Sequence, residues 1–182
     1  MKYFLIAILF CFQNSFGQTD SAVDIKELGW KIQLPPDIKA IDTATLGAER
    51  RNEHITWIRK PPVDSNRLHT KLIFTARDSS LQTIFFITYI DAKYDPLNGK
   101  FPDNTYTNFI ITLRKKPSTV VYSGVKFLEL QLDGHPLNAL PYVAVTLKTK
   151  YQGKIFTIDY AYSDPIKGNE IEHMLKTSKF ER

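Results

Sequence analysis

The stretch Tyr142-Val-Ala-Val-Thr-Leu-Lys-Thr-Lys-Tyr151-Gln-Gly-Lys154-Ile-Phe-Thr-Ile-Asp-Tyr-Ala-Tyr162 reads as a strand, a tight turn and a strand. Gln152-Gly153 separates two runs rich in β-branched and aromatic residues, and a two-residue loop with Gly second fits a type I′ turn. Folding outward from it sets Tyr151 against Lys154, Thr149 against Phe156, Leu147 against Ile158, Val145 against Tyr160 and Val143 against Tyr162. That row is almost wholly apolar or aromatic. The alternate row sets Lys150 against Ile155, Lys148 against Thr157, Thr146 against Asp159 and Ala144 against Ala161, and is more polar. Such alternation is expected of an antiparallel sheet with one face buried, and a slip of one residue would mix the rows.

Downstream, Ser163-Asp164-Pro165 reads as a strand break and Asn169 as the cap of a short helix. Ile171, Met174, Leu175 and Ser178 recur at helical spacing, which lets this helix close over the sheet, with Phe180 tucking back after it. Upstream, Thr19 to Glu27 reads as a polar lead, mobile until it meets the sheet. Gly29-Trp30-Lys31-Ile32-Gln33-Leu34 alternates, with Trp30, Ile32 and Leu34 on one face, and Pro35-Pro36 ends that strand. A helix capped at Asp42 or Thr43 is expected through Arg50, reaching toward Ile58, with a loop over Pro61 to Asn66. Leu68 to Ala76 and Leu81 to Ile90 form a second predicted hairpin, turning at Arg77-Asp78-Ser79-Ser80, with Leu72, Phe74 and Ala76 on one face. Ile84-Phe85-Phe86-Ile87 is apolar on both faces, as a central strand is. Asp95-Pro96-Leu97-Asn98-Gly99 is turn chemistry. A helix capped at Asp103 or Asn104 carries the stripe Tyr106, Phe109, Ile110 and Leu113; Arg114-Lys115-Lys116 complements its carboxyl end and Pro117 stops it. Val120 to Leu132 is a strand region interrupted at Ser123-Gly124.

Residues 1–17 have the pattern of a secretory leader: a charged Lys2, an apolar run from Tyr3 to Phe12, and small residues Ser15 and Gly17 before a cleavage point at Gln18. A lipidated Cys11 is the rival reading, against which Phe10 stands where a small residue belongs. The expectation is an exported protein, periplasmic or extracellular, with one domain over 18–182 and no transmembrane segment in the mature chain. Cys11 leaves with the leader, so no disulfide, thiol chemistry or thiolate metal site is expected. The net charge of +5 falls by one with Lys2, a basic excess that suits an anionic envelope surface but is far from a nucleic-acid-binding stripe.

Gly29-Trp30-Lys31-Ile32-Gln33-Leu34-Pro35 resembles the strand-into-proline opening of the Mog1/PsbP-like superfamily. Tyr151-Gln152-Gly153-Lys154-Ile155-Phe156, Asp159-Tyr160 and Thr177-Ser178-Lys179-Phe180 resemble its tail. The resemblance covers nearly the whole mature chain and rests on pattern. It implies an α+β fold, an α-β-α sandwich with a central antiparallel sheet of about six strands flanked by helices. It also implies protein binding or assembly; it brings no catalytic residue with it.

The residues themselves give no catalytic motif. His54, His69, His135 and His173 form no close pair in sequence; His54 and His69 flank one loop and are the pair that folding brings together most easily. There is no GxSxG and no glycine loop for phosphate. Asp91, Asp95 and Asp103 around a turn lack the spacing of a calcium loop. No cofactor is expected. The tyrosines of the central hairpin read as core edge, with a ligand platform as the sharper alternative. Lys148, Lys150, Lys154, Arg114, Lys115 and Lys116 are the candidate surface for a protein partner, against the plainer reading of a solvated, edge-protecting face. The leading expectation is a non-enzymatic binding or assembly domain of the bacterial envelope. The alternative is a small-ligand binder or enzyme with a site assembled from His54, His69 and a tyrosine. A purely structural exported domain with weak self-association is a third.

Overall fold

The computed structural model describes residues 22–41, 69–80, 82–101, 111–137 and 139–181. The central hairpin forms in the expected register. β8 (Tyr142–Tyr151) and β9 (Lys154–Tyr162) pair from Val143↔Tyr162 to Tyr151↔Lys154. Gln152 and Gly153 both have positive φ, 47° and 74°, as a type I′ turn demands. The apolar row is the core side: Val145, Leu147, Phe156, Ile158 and Tyr160 are buried.

Around this hairpin lies a seven-stranded antiparallel sheet, ordered β3 (Ile38–Ala40), β4 (Lys71–Asp78), β5 (Thr83–Asp91), β9, β8, β7 (Val125–Gly134), β6 (Ile111–Tyr122). β5 is internal, as Ile84 to Ile87 predicts, and pairs along nine residues with β9. Its hairpin with β4 is closed by Asp78, whose carboxylate accepts from Ser80 Oγ at 2.8 Å, Gln82 N at 3.0 Å and Thr83 N at 3.2 Å. The strand therefore runs through Arg77 and Asp78, and the turn falls later than predicted. A register shift between Leu72 and Phe74 also moves Leu72 opposite Thr88, off the face that Phe74 and Ala76 share.

Three further expectations are corrected. Residues 111–117 are not the end of a helix. They open β6, a 12-residue edge strand paired with β7, and the part of the expected helix before Ile111 lies outside the described residues. Pro117 falls where the register shifts between Lys115 and Ser118, on an edge where its missing N–H is tolerated. The Ser123-Gly124 interruption is a two-residue hairpin turn, with φ of 49° and 81°. The lead contains a strand where none was expected: β1 (Ala22–Ile25) pairs with β2 (Trp30–Gln33). The helix expected over residues 42–58, the leader and the cleavage point lie outside the described residues.

The helix-flanked sandwich is overturned as well. Among the described residues there is one α-helix, α1 (Pro165–Thr177), and two antiparallel sheets. The second sheet is ordered β1, β2, β10 (Lys179–Phe180), and it shares with α1 the task of covering the apolar face of the large sheet. Tertiary pairing explains the difference, since Val23, Ile25, Ile32 and Phe180 alternate well enough to pair and all pack against the core. α1 starts earlier than Asn169. Asp164 caps it, accepting from Ile166 N at 2.8 Å, and Pro165 occupies the first turn, where its fixed φ suits a helix start. Ile171, Met174, Leu175 and Ser178 are buried, as their spacing predicts.

Trp30, fully buried, stacks on Phe180 with ring centroids 5.0 Å apart and planes 5° from parallel. Gly29 brings the two strands together. Its φ is +58°, and a Cβ there would sit 2.8 Å from the Glu181 carbonyl oxygen, while Glu181 N donates to Gly29 O at 2.6 Å. Replacing Gly29 by Ala is expected to destabilise the fold by about 2 kcal/mol, from left-handed backbone strain plus displacement of the terminal strand. Urea unfolding monitored by Trp fluorescence checks this; an unchanged midpoint contradicts it.

Candidate functional site

α1 borders a concavity on the surface of the protein. Its helical repeat carries Ile171 and Leu175 into the core and leaves Ile166, Asn169, Glu170, His173 and Thr177 facing outward along about three turns. Pro35 and Pro36 end β2 and turn the chain alongside that face. Between them runs an open groove of about 470 Å³, floored by Leu34, Pro35, Ile166 and Met174, with Gln33, Asn169, Glu170 and His173 at the rim. Ile166 is 64% exposed although apolar. One end is held by Lys167, which bridges Asp37 at 2.5 Å and Glu170 at 3.0 Å. These two carboxylates raise the Lys167 pKa.

The six candidate basic residues do not converge on one surface. Lys148 and Lys150 lie on the face of the large sheet opposite α1, and Lys154 lies on the α1 side. Arg114, Lys115 and Lys116 lie on the edge strand β6. Arg114 pairs with Asp133 at 2.7 Å and Lys115 with the buried carboxylate of Glu129 at 3.2 Å. Lys150 donates to Asn98 Oδ1 at 3.0 Å and Lys148 to the carbonyl of Lys100 at 3.3 Å, its Nζ 5.0 Å from the Phe101 ring centroid. Two of the candidate lysines thus tether the Asp95–Phe101 connection. Asp95 shapes that connection by accepting from Leu97 N at 3.1 Å and Gly99 N at 2.6 Å, the turn duty its sequence implied.

The histidines stand apart. His69 stacks on Tyr94 at 3.8 Å, His135 is exposed beyond β7, and His173 sits at the groove. His54 and Asp103 lie outside the described residues, so the expected meeting of His54 and His69 does too. Of the hairpin tyrosines, Tyr160 is buried and stacks on Tyr162 at 6.3 Å. Burial raises the pKa of both phenols, and pushes that of neighbouring Tyr122 up to about 12. This is core-edge behaviour: rings packed, hydroxyls held neutral.

Sequence reasoning placed Asp159 on the polar row and went no further. Its carboxyl accepts from Thr146 Oγ1 at 2.6 Å, beside half-buried Lys148. Desolvation raises the Asp159 pKa, opposed by the Thr146 hydrogen bond and the Lys148 charge; desolvation likewise lowers the pKa of Lys148. The signal available was an acid in an otherwise apolar strand, Ile158-Asp159-Tyr160.

A raised carboxyl pKa means that the folded state holds this proton more tightly than the unfolded chain does. Stability attributable to Asp159 is therefore full below the unfolded value of about 3.9 and declines as pH rises through the folded value. Asp159→Asn, which keeps an acceptor for Thr146, is expected to raise the unfolding midpoint at neutral pH, with the gain vanishing as pH falls toward that unfolded value. Denaturation across pH checks this; a neutral-pH loss contradicts it.

No family model and no curated protein matches the sequence. Solved structures that align with this chain include the following three. A protein of Bacteroides thetaiotaomicron aligns with TM-score 0.49 and 9% identity over 84% of this chain, which spans 45% of that protein's length. LpqN of Mycobacterium tuberculosis, described as involved in cell envelope biogenesis, aligns with TM-score 0.41 and 10% identity over 82% of each chain. Cyanobacterial PsbP (CyanoP) of Synechocystis aligns with TM-score 0.48 and 10% identity over 88% of this chain and 91% of its own.

Proposed function

We propose that this chain is an exported, non-enzymatic binding domain of the bacterial envelope that holds an extended, apolar segment of a protein partner. The groove on α1 carries this reading. From Ile166 to Thr177 it follows twelve residues of helix, roughly 16 Å from first to last, which matches about five residues of extended peptide. Its floor is apolar, and its rim offers hydrogen-bonding groups at Gln33, Asn169 and His173. The pattern of residues 1–17 supports export.

One observation favours a second reading. A volume of about 470 Å³ is also in the range of small-molecule sites. A small ligand in this groove is the alternative, with His173 rather than His69 as its histidine.

The chain from Gln18, with a photo-crosslinker at Asn169, is used to capture partners from native envelope extract. One stoichiometric protein crosslinked at Asn169 and lost with Ile166→Glu, while Lys116→Glu still captures it, supports the protein-binding reading. Ile166 is exposed, so its replacement leaves the core intact. No crosslinked protein, with a small molecule co-purifying and lost with Ile166→Glu, replaces that reading by the alternative.

A further inference from the structure

Two groups stand out among the described cations. Lys31, Arg114, Lys115, Lys167 and Lys176 each have a carboxylate within ion-pair distance, at 2.5–3.2 Å. The other group gathers at the end of the large sheet that bears the Gln152-Gly153 turn. Lys154 follows the turn and Lys150 stands opposite Ile155 beside it. Lys93 lies in the short helical turn whose Ala92 N donates to Gly153 O at 2.8 Å. Lys71 pairs with Tyr89 at the start of β4, Lys126 opens β7, and the carbonyl of Lys100 is tethered by Lys148. Among the described residues, none of these six has a carboxylate within ion-pair distance. Lys150 meets an amide oxygen, and Lys71, Lys93 and Lys154 lie over tyrosine rings at 4.5–5.8 Å. The described acids beside these lysines are Asp91 and Asp95, the second occupied by backbone N–H groups, while Glu172, near the Ser123-Gly124 turn, is paired with Lys176.

We propose that this end of the sheet docks on an anionic lipid surface. The charge sign is complementary, and the lysines are interleaved with interfacial side chains: Tyr94 is 37% and Leu97 36% exposed, and Val121 57%. All six cations are lysine. Compact, hydrated ammonium groups suit a diffuse surface potential, whereas fixed carboxylates on a protein are better matched by the arginine fork. This proposal stands apart from the groove: failure here leaves the groove reading intact, and the reverse also holds.

The test is sedimentation of the chain from Gln18, which carries every described residue, with vesicles of pure phosphatidylglycerol and of pure phosphatidylcholine. Binding to the first alone is expected. It should be lost as salt shortens the screening length from about 10 Å at 0.1 M to about 3 Å at 1 M. The triple variant Lys93→Gln, Lys126→Gln and Lys150→Gln should reduce partitioning about 100-fold, at roughly fivefold per lysine charge removed. Lys39→Gln, in β3 at the opposite end of the sheet, should leave it unchanged. Equal binding to both lipids, no binding to either, or an unaffected triple variant overturns the proposal. So does displacement by dissolved polyglutamate at matched charge, which assigns the patch to an acidic protein instead. The lipid and salt dependence of the unaltered chain decides the matter even if the triple variant fails to fold.

Discussion

A turn of two residues, both held at positive φ, sets the register on which this molecule depends. With Gln152 at 47° and Gly153 at 74°, Tyr151 must face Lys154, and every later pair in β8 and β9 follows. Because side chains alternate across a strand, this single constraint puts Val145, Leu147, Phe156, Ile158 and Tyr160 on the buried side together. β5 then pairs with the free side of β9, and β7 with that of β8, so both inherit the same division of faces.

What covers the buried face is assembled from opposite ends of the chain. β2 supplies Trp30 and Ile32, α1 supplies Ile171, Met174 and Leu175, and β10 returns Phe180 onto Trp30. The return is held by polar contacts as well. Ser123, at positive φ in the β6–β7 turn, donates through Oγ to the Ser178 carbonyl, and Ser178 Oγ donates to Leu175 O at 2.7 Å. The end of the helix, the terminal strand and a hairpin turn are thereby locked as one unit. Its cost is visible too: among the described residues the buried Trp30 Nε1 has no hydrogen-bond partner, on the order of 1–3 kcal/mol that the burial of its ring must outweigh.

Charge follows the same architecture. Ion pairs concentrate where elements must be fixed against each other, as Lys167 fixes α1 to Asp37 and Arg114 fixes the edge strand to Asp133. Lysine and proline on β6, with its register shifts, also discourage another strand from adding there. At the turn-bearing end Lys150 meets a neutral oxygen and Lys154 a tyrosine ring.

The sequence by itself determined what depends on alternation and local turn chemistry. The β8–β9 register, the core face of β2, the internal position of β5 and the apolar stripe of α1 all follow from short-range pattern. Tertiary structure decided what depends on partners distant in sequence. Ile111 to Pro117 carries helix-end signals, yet β7 offered it a hydrogen-bonding edge, and pairing prevailed over propensity. Ala22 to Ile25 looked too polar to hold a place until β2 lay beside it. The groove was invisible for the same reason: Pro35 and Ile166 are far apart in sequence and meet only because β2 and α1 share one core. Six lysines scattered from Lys71 to Lys154 become neighbours only when the strands that carry them end together.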